Sequence, residues 1–150
     1  MRLLKYLDEL ATHVRTRVDG ETQVRVMGSG VGRTVAVAPG KAGACGVTVL
    51  VQGEDEMSVE FGEMSILDFI DEVPEDLYLS CREIVDAIID GRVSEVIYLK
   101  GVEPVRAMAH LELPDRVIKV HTRRGFSVLL RRGNTHHYEP YSTRSLGPRG

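Results

Sequence analysis

Any chemistry in this chain would have to come from five histidines, two cysteines and a dense run of carboxylates. His110 and His121 fall on neighbouring strand-like segments joined around Pro114-Asp115, so their side chains can meet across a strand pair. With Glu112 or His137 they would form a three-ligand zinc set. That set has none of the short ligand spacings on which strong zinc signals rest. His136 and His137 are adjacent, and adjacent strand residues face opposite sides, so the pair does not readily share one ion. Cys45 has no neighbouring base in sequence to activate it as a nucleophile. These residues define one class of function: a small ligand-binding protein or enzyme with a site near His110 and His121. No catalytic set and no metal set emerges, so the chain reads as non-enzymatic, with no cofactor implied.

Two glycine-rich loops invite comparison with phosphate-binding loops. Gly28-Ser29-Gly30-Val31-Gly32-Arg33-Thr34 has three residues between Gly28 and Gly32 where a phosphate loop has four. It carries Arg33 in place of lysine, and it runs into the strand-like TVAVAP rather than a helix. It reads as a hairpin connection that uses glycine for positive φ. Pro39–Gly46 reads as a second surface loop.

The carboxylates are sorted by position. Residues 53–95 hold fourteen acids and two bases, whereas residues 116–150 hold eight bases and one acid; the whole chain is only −3. Asp71, Glu72, Glu75 and Asp76 stand where a helix begins, and negative charge there is favoured by the helix dipole. Glu54, Asp55, Glu56, Glu60, Glu63 and Asp68 have no such local reason. They lack the apolar setting that tunes a catalytic carboxylate. They suit a surface that attracts a basic partner, where charge speeds encounter and sets specificity. The opposing basic group, Arg123, Arg124, Arg131 and Arg132 with Arg116 and Lys119, raises nucleic-acid binding through strands 116–132 as a further class. The few nearby aromatics, Phe126, Tyr138 and Tyr141, argue against it.

The elements that must position these residues follow from periodicity. Leu3, Leu7, Leu10 and Val14 recur at helical spacing, up to Asp19-Gly20. The period then becomes two: Val24/Val26, Val35/Val37, Val47/Val49/Val51, and Met57/Val59/Phe61. A second helix carries Leu77, Cys81, Ile84, Val85 and Ile88, with Pro74 before it and Gly91 after. Strand-like segments return at 94–100, 105–113, 116–122 and 126–131. The spacing predicts an α+β fold: two helices packed on one face of a mainly antiparallel, twisted sheet of about six to eight strands.

Each half thus reads as αββββ, and 49–61 overlies 118–130 without a gap. Pseudo-repeats over 1–63 and 72–132 are expected within a single domain, 1–138, followed by a flexible tail, 139–150. The turn Glu54-Asp55-Glu56 would then correspond to Arg123-Arg124-Gly125, two hairpin tips of opposite charge, and the molecule could pair with itself. With two cysteines and no apolar run long enough for a bilayer, the expected setting is the cytoplasm. The expected function is a protein-interaction module, of the inhibitor, immunity or chaperone kind, whose acidic surface meets a basic protein or a second copy.

Overall fold

The apolar stripe of Leu3, Leu7, Leu10, Ala11 and Val14 makes the first element a helix, α1 (Arg2–Arg17), with that stripe fully buried. A computed structural model describes residues 2–70, 73–124 and 130–142. Five strands follow α1: β1 (Gln23–Met27), β2 (Thr34–Ala38), β3 (Val47–Gly53), β4 (Glu56–Phe61) and β5 (Ser65–Ile70). They pair in chain order as an antiparallel meander. The connection from β1 to β2 is the glycine-rich loop, with positive φ at Gly28, Gly30 and Gly32, as a hairpin connection requires.

The second helix, α2 (Pro74–Ile89), opens with Pro74 at its first turn, where the missing N–H costs nothing, and carries Glu75 and Asp76 there. Asp71 and Glu72 lie outside the described residues. The helix stops at Gly91, whose φ of +72° reverses the chain. Four strands then form a second antiparallel sheet: β6 (Val93–Lys100), β7 (Glu103–Glu112), β8 (Val117–Arg123) and β9 (Arg131–His137), in the spatial order β8-β7-β6-β9.

The alternation of each strand decides its two faces. Val35, Val37, Val49, Val59 and Phe61 from the first sheet join Val93, Ala109, Leu111 and Val120 from the second in one core under the two helices. Burying side chains such as Leu3, Leu7 and Ile88 contributes roughly 1.5–3 kcal/mol each. The helices are also bridged by charge. Arg17 binds Asp86 and Asp90 at 2.7 Å each, and His13 Nε2 meets Asp86 at 2.7 Å.

The α+β architecture with helices on one side is the expected one, but the strands among the described residues number nine and form two sheets rather than one. β5 escaped the sequence reading because Ile66 alternates with Asp68 on one side while Leu67 and Phe69 pack on the core from the other. Both faces carry apolar residues, so the period-two signal is blurred. The sheets meet where β5 runs beside β8 without a ladder; Ile66 N–H donates instead to Thr122 Oγ1 at 3.1 Å.

The second of the two expected hairpin tips, Arg123-Arg124-Gly125, runs into residues outside the described ones. β3 and β4 are a true hairpin, with Val49 opposite Val59. β8 and β9 occupy opposite edges of their sheet, because β9 crosses over to pair with β6. Most of the expected strand 126–131 lies outside the described residues. The flexible tail expected from 139 does not begin there. Glu139 N–H donates to Gly43 O, Tyr141 N–H to Ile89 O, and Ser142 O accepts from Asp19 N–H. Tyr141 is buried, and its hydroxyl donates to the Cys45 carbonyl. The rest of that segment, 143–150, lies outside the described residues.

Candidate functional site

Three arrangements could carry function: a buried carboxylate, an acidic sheet face and a basic sheet face. The first was missed in the sequence. Val93, Glu95 and Ile97 point to the same, inward side of β6, so Glu95 sits in the apolar phase of its strand and is 0% exposed. Its carboxylate Oε1 accepts from Glu63 N–H at 2.8 Å and from the Tyr138 hydroxyl at 2.8 Å. Oε2 accepts from Met64 N–H at 3.1 Å and from the Ser65 hydroxyl at 2.6 Å. A buried charge is tolerated only when its lone pairs are satisfied, and here four donors satisfy them. The effect is to tie the β4–β5 turn to the second sheet. Gly62, at φ +65°, permits this: a Cβ there would lie 2.5 Å from Glu95 Oε1.

Burial first, and then the hydrogen bond to Glu95, push the Tyr138 phenol above its ordinary value. Tyr141 is raised by burial and then by nearby Cys45. Burial pushes the Cys45 thiol from 9.0 up to about 12, with a Gly62 backbone hydrogen bond opposing and the Glu95 charge adding to the rise. A nucleophilic cysteine needs the opposite, a lowered pKa and access, so Cys45 is a core residue. Because the folded value exceeds the unfolded one, the neutral thiol contributes stability that is complete below pH 9.0 and is lost as pH rises toward about 12. Melting temperature is therefore expected to fall between those limits, and less steeply in Cys45→Ala. A flat profile across that window would overturn this.

The acidic residues gather on the first sheet. Glu54 and Asp55 form the tip of the β3–β4 turn, and both are exposed. Glu56, Glu60 and Asp68 project from the outer face of β4 and β5, with Asp68 opposite Ser58 and thus diagonal to both glutamates. None of these five has an ion pair among the described residues. Glu63 lies apart, at the β4–β5 turn, where it meets His136 Nε2 at 2.9 Å. Beside Glu60 and Glu63 opens a cleft of about 470 Å³ lined by Ala36, Thr48, Ile66 and Arg124.

The basic residues are redistributed. Arg124 turns to that cleft. Arg131 donates to Gly101 O at 3.0 Å, and Arg116 is paired with Glu83 and Asp115. Arg123 and Arg132 stand on opposite edge strands but in one row across the second sheet, Arg123–Arg106–Tyr98–Arg132. Sequence reading omitted Arg106 and Tyr98 because only the strand register brings them into this row.

His110 and His121 do lie on neighbouring strands with their side chains on one face, but in different rows: His110 opposes Lys119, and His121 opposes Met108. His110, Glu112 and His137 line a shallow hollow of about 250 Å³, from which His121 is absent. Among the described residues no three His, Cys, Asp or Glu side chains converge to hold a metal. No described helix is long and apolar enough to cross a membrane. No protein-family model, curated protein or solved structure matches this chain.

Proposed function

We propose that this protein is a non-enzymatic interaction module of the cytoplasm that covers a basic partner protein with the outer face of its first sheet. It would act in the manner of an inhibitor, an immunity-type protein or a chaperone. One observation carries the reading: Glu54, Asp55, Glu56, Glu60 and Asp68, scattered over fifteen positions of sequence, share one turn and one sheet face without an ion pair among the described residues. Unpaired carboxylates on one face repel each other, and a basic surface relieves that repulsion. Such a face raises the encounter rate and rejects acidic competitors more than it adds affinity. The cleft beside Glu60 and Glu63 has room for a lysine or arginine side chain of the partner. The buried Glu95, saturated by its donors, suits scaffolding rather than proton transfer.

Capture from the native cell at low and high salt, followed by mass spectrometry, identifies the partner. With that partner, Glu54→Gln, Asp55→Asn and Glu60→Gln together are expected to slow association by about tenfold at low salt and little at high salt. An association rate unchanged by these substitutions and by ionic strength would defeat the proposal.

A further inference from the structure

We propose that the outer face of the second sheet binds single-stranded nucleic acid, separately from the acidic face. The strand register builds this face from residues distant in sequence. Lys119, His110, Ser94 and His137 form one row across the four strands. His121, Met108, Val96 and Thr135 form the next, and Arg123, Arg106, Tyr98 and Arg132 the third. Among the described residues these three rows therefore gather four arginines and lysines and three histidines on one face, with the acids Glu112 and Glu103 at its two ends, the latter opposite Lys100. Neighbouring strands lie about 4.8 Å apart, so the cations span roughly 14 Å across the sheet, and about 13 Å along β8 from Lys119 to Arg123.

The ligand chemistry follows from the residue types. The Arg106 guanidinium lies 5.2 Å from the centre of the Tyr98 ring, and this half-buried cation–ring pair offers a charge and an aromatic edge to a splayed base. Arg132 is steadied by Thr135 Oγ1 at 3.2 Å, and Arg123 stands exposed at the other edge. Arginine forks match phosphate oxygens, and the many charges of a polyphosphate reward several at once. An open four-stranded face is too wide for a duplex groove, which admits a helix or a two-stranded ribbon. A single strand has no such restriction. A protein partner fits less well, since interface cores are depleted of charge and organised around large apolar anchors, whereas the centre of this face holds only half-buried Met108 and Val96. The acids that would repel phosphate, Glu54, Asp55, Glu56, Glu60 and Asp68, belong to the other sheet.

The test is fluorescence anisotropy of a labelled twenty-nucleotide single-stranded RNA, titrated with the full chain at several potassium chloride concentrations. Saturable binding at low salt is expected. Its logarithmic salt slope should be about −2 to −3, from four cations at roughly 0.7 each. Arg123→Ala with Arg132→Ala, both exposed positions, should leave the melting temperature unchanged, weaken binding at least tenfold and reduce the slope by about 1.4. Tyr98→Phe should bind as the parent does and Tyr98→Ala more weakly. Glu54→Gln with Asp55→Asn should bind no less tightly than the parent, so a failure of the acidic-face proposal and a failure of this one stay distinct. The proposal is overturned by no saturable binding at low salt. It is also overturned by binding indifferent to the arginine pair, or by polyglutamate competing as well as unlabelled RNA, which would mark the face as a site for acidic polypeptide.

Discussion

Glu95→Ala is expected to lower stability by about 4 kcal/mol, a fall in melting temperature of about 8–16 °C for a chain of this size. The substitution removes the single acceptor for four donors in a place that water does not reach. The Ser65 and Tyr138 hydroxyls can rotate toward other partners, but the Glu63 and Met64 N–H groups are fixed by the turn and remain unpaired. Each orphan donor costs about 1–3 kcal/mol. Glu95→Gln tests the same point without a cavity. Whichever way its amide is oriented, its NH2 faces one of the two backbone N–H groups, so a smaller loss of about 1–3 kcal/mol is expected. Gly62→Ala should act from the other side, since its Cβ would collide with Glu95 Oε1 in a backbone conformation that alanine resists. Thermal unfolding followed by circular dichroism measures all three. Glu95→Ala melting within a degree or two of the parent would show that the two sheets do not depend on this carboxylate.

Tyr141→Ala should be the other severe change, at about 3–5 kcal/mol, the range for emptying a buried aromatic site. Tyr141 is 4% exposed and closes the core after the last strand. Its backbone N–H holds Ile89 O at the end of α2, and its hydroxyl holds the Cys45 carbonyl. Removing the ring opens a path to Cys45, which is otherwise 0% exposed. Reaction with a thiol reagent at pH 8 should therefore be slow in the parent and much faster in Tyr141→Ala. Tyr141→Phe keeps the ring and should cost only about 1 kcal/mol, for one hydrogen bond. Equal thiol reactivity in the parent and in Tyr141→Ala would show that this segment does not seal the core.

Much of the architecture was legible in the sequence. The two helices, the first four strands and their inward residues follow from a period of 3.6 or 2 that burial of apolar side chains enforces. The β1–β2 loop was legible too, because only glycine adopts its positive φ without strain. Within the candidate sites, the acidic tip at Glu54-Asp55 was visible from residue type alone, since a charged turn between two alternating segments has few other places to go. Glu95 left a signal that went unused: a carboxylate in the apolar phase of Val93, Glu95 and Ile97 must be buried, and so must have donors. Its donors were not legible. They come from a turn some thirty residues earlier and from a tyrosine more than forty residues later, and no local rule connects those distances.

By itself, then, the sequence determined most of the element types, their inward faces and the separation of acid from base along the chain, because each depends on neighbours within a few residues. Tertiary structure decided everything that depends on which strand lies beside which. It split the strands into two sheets and sent β9 across to β6. It drew Glu56, Glu60 and Asp68 onto one face, and joined Arg123 and Arg132 through Arg106 and Tyr98. Register is a long-range property, set by how complete side chains pack and how buried polar groups find partners, and it is register that turns a charge pattern along the chain into surfaces.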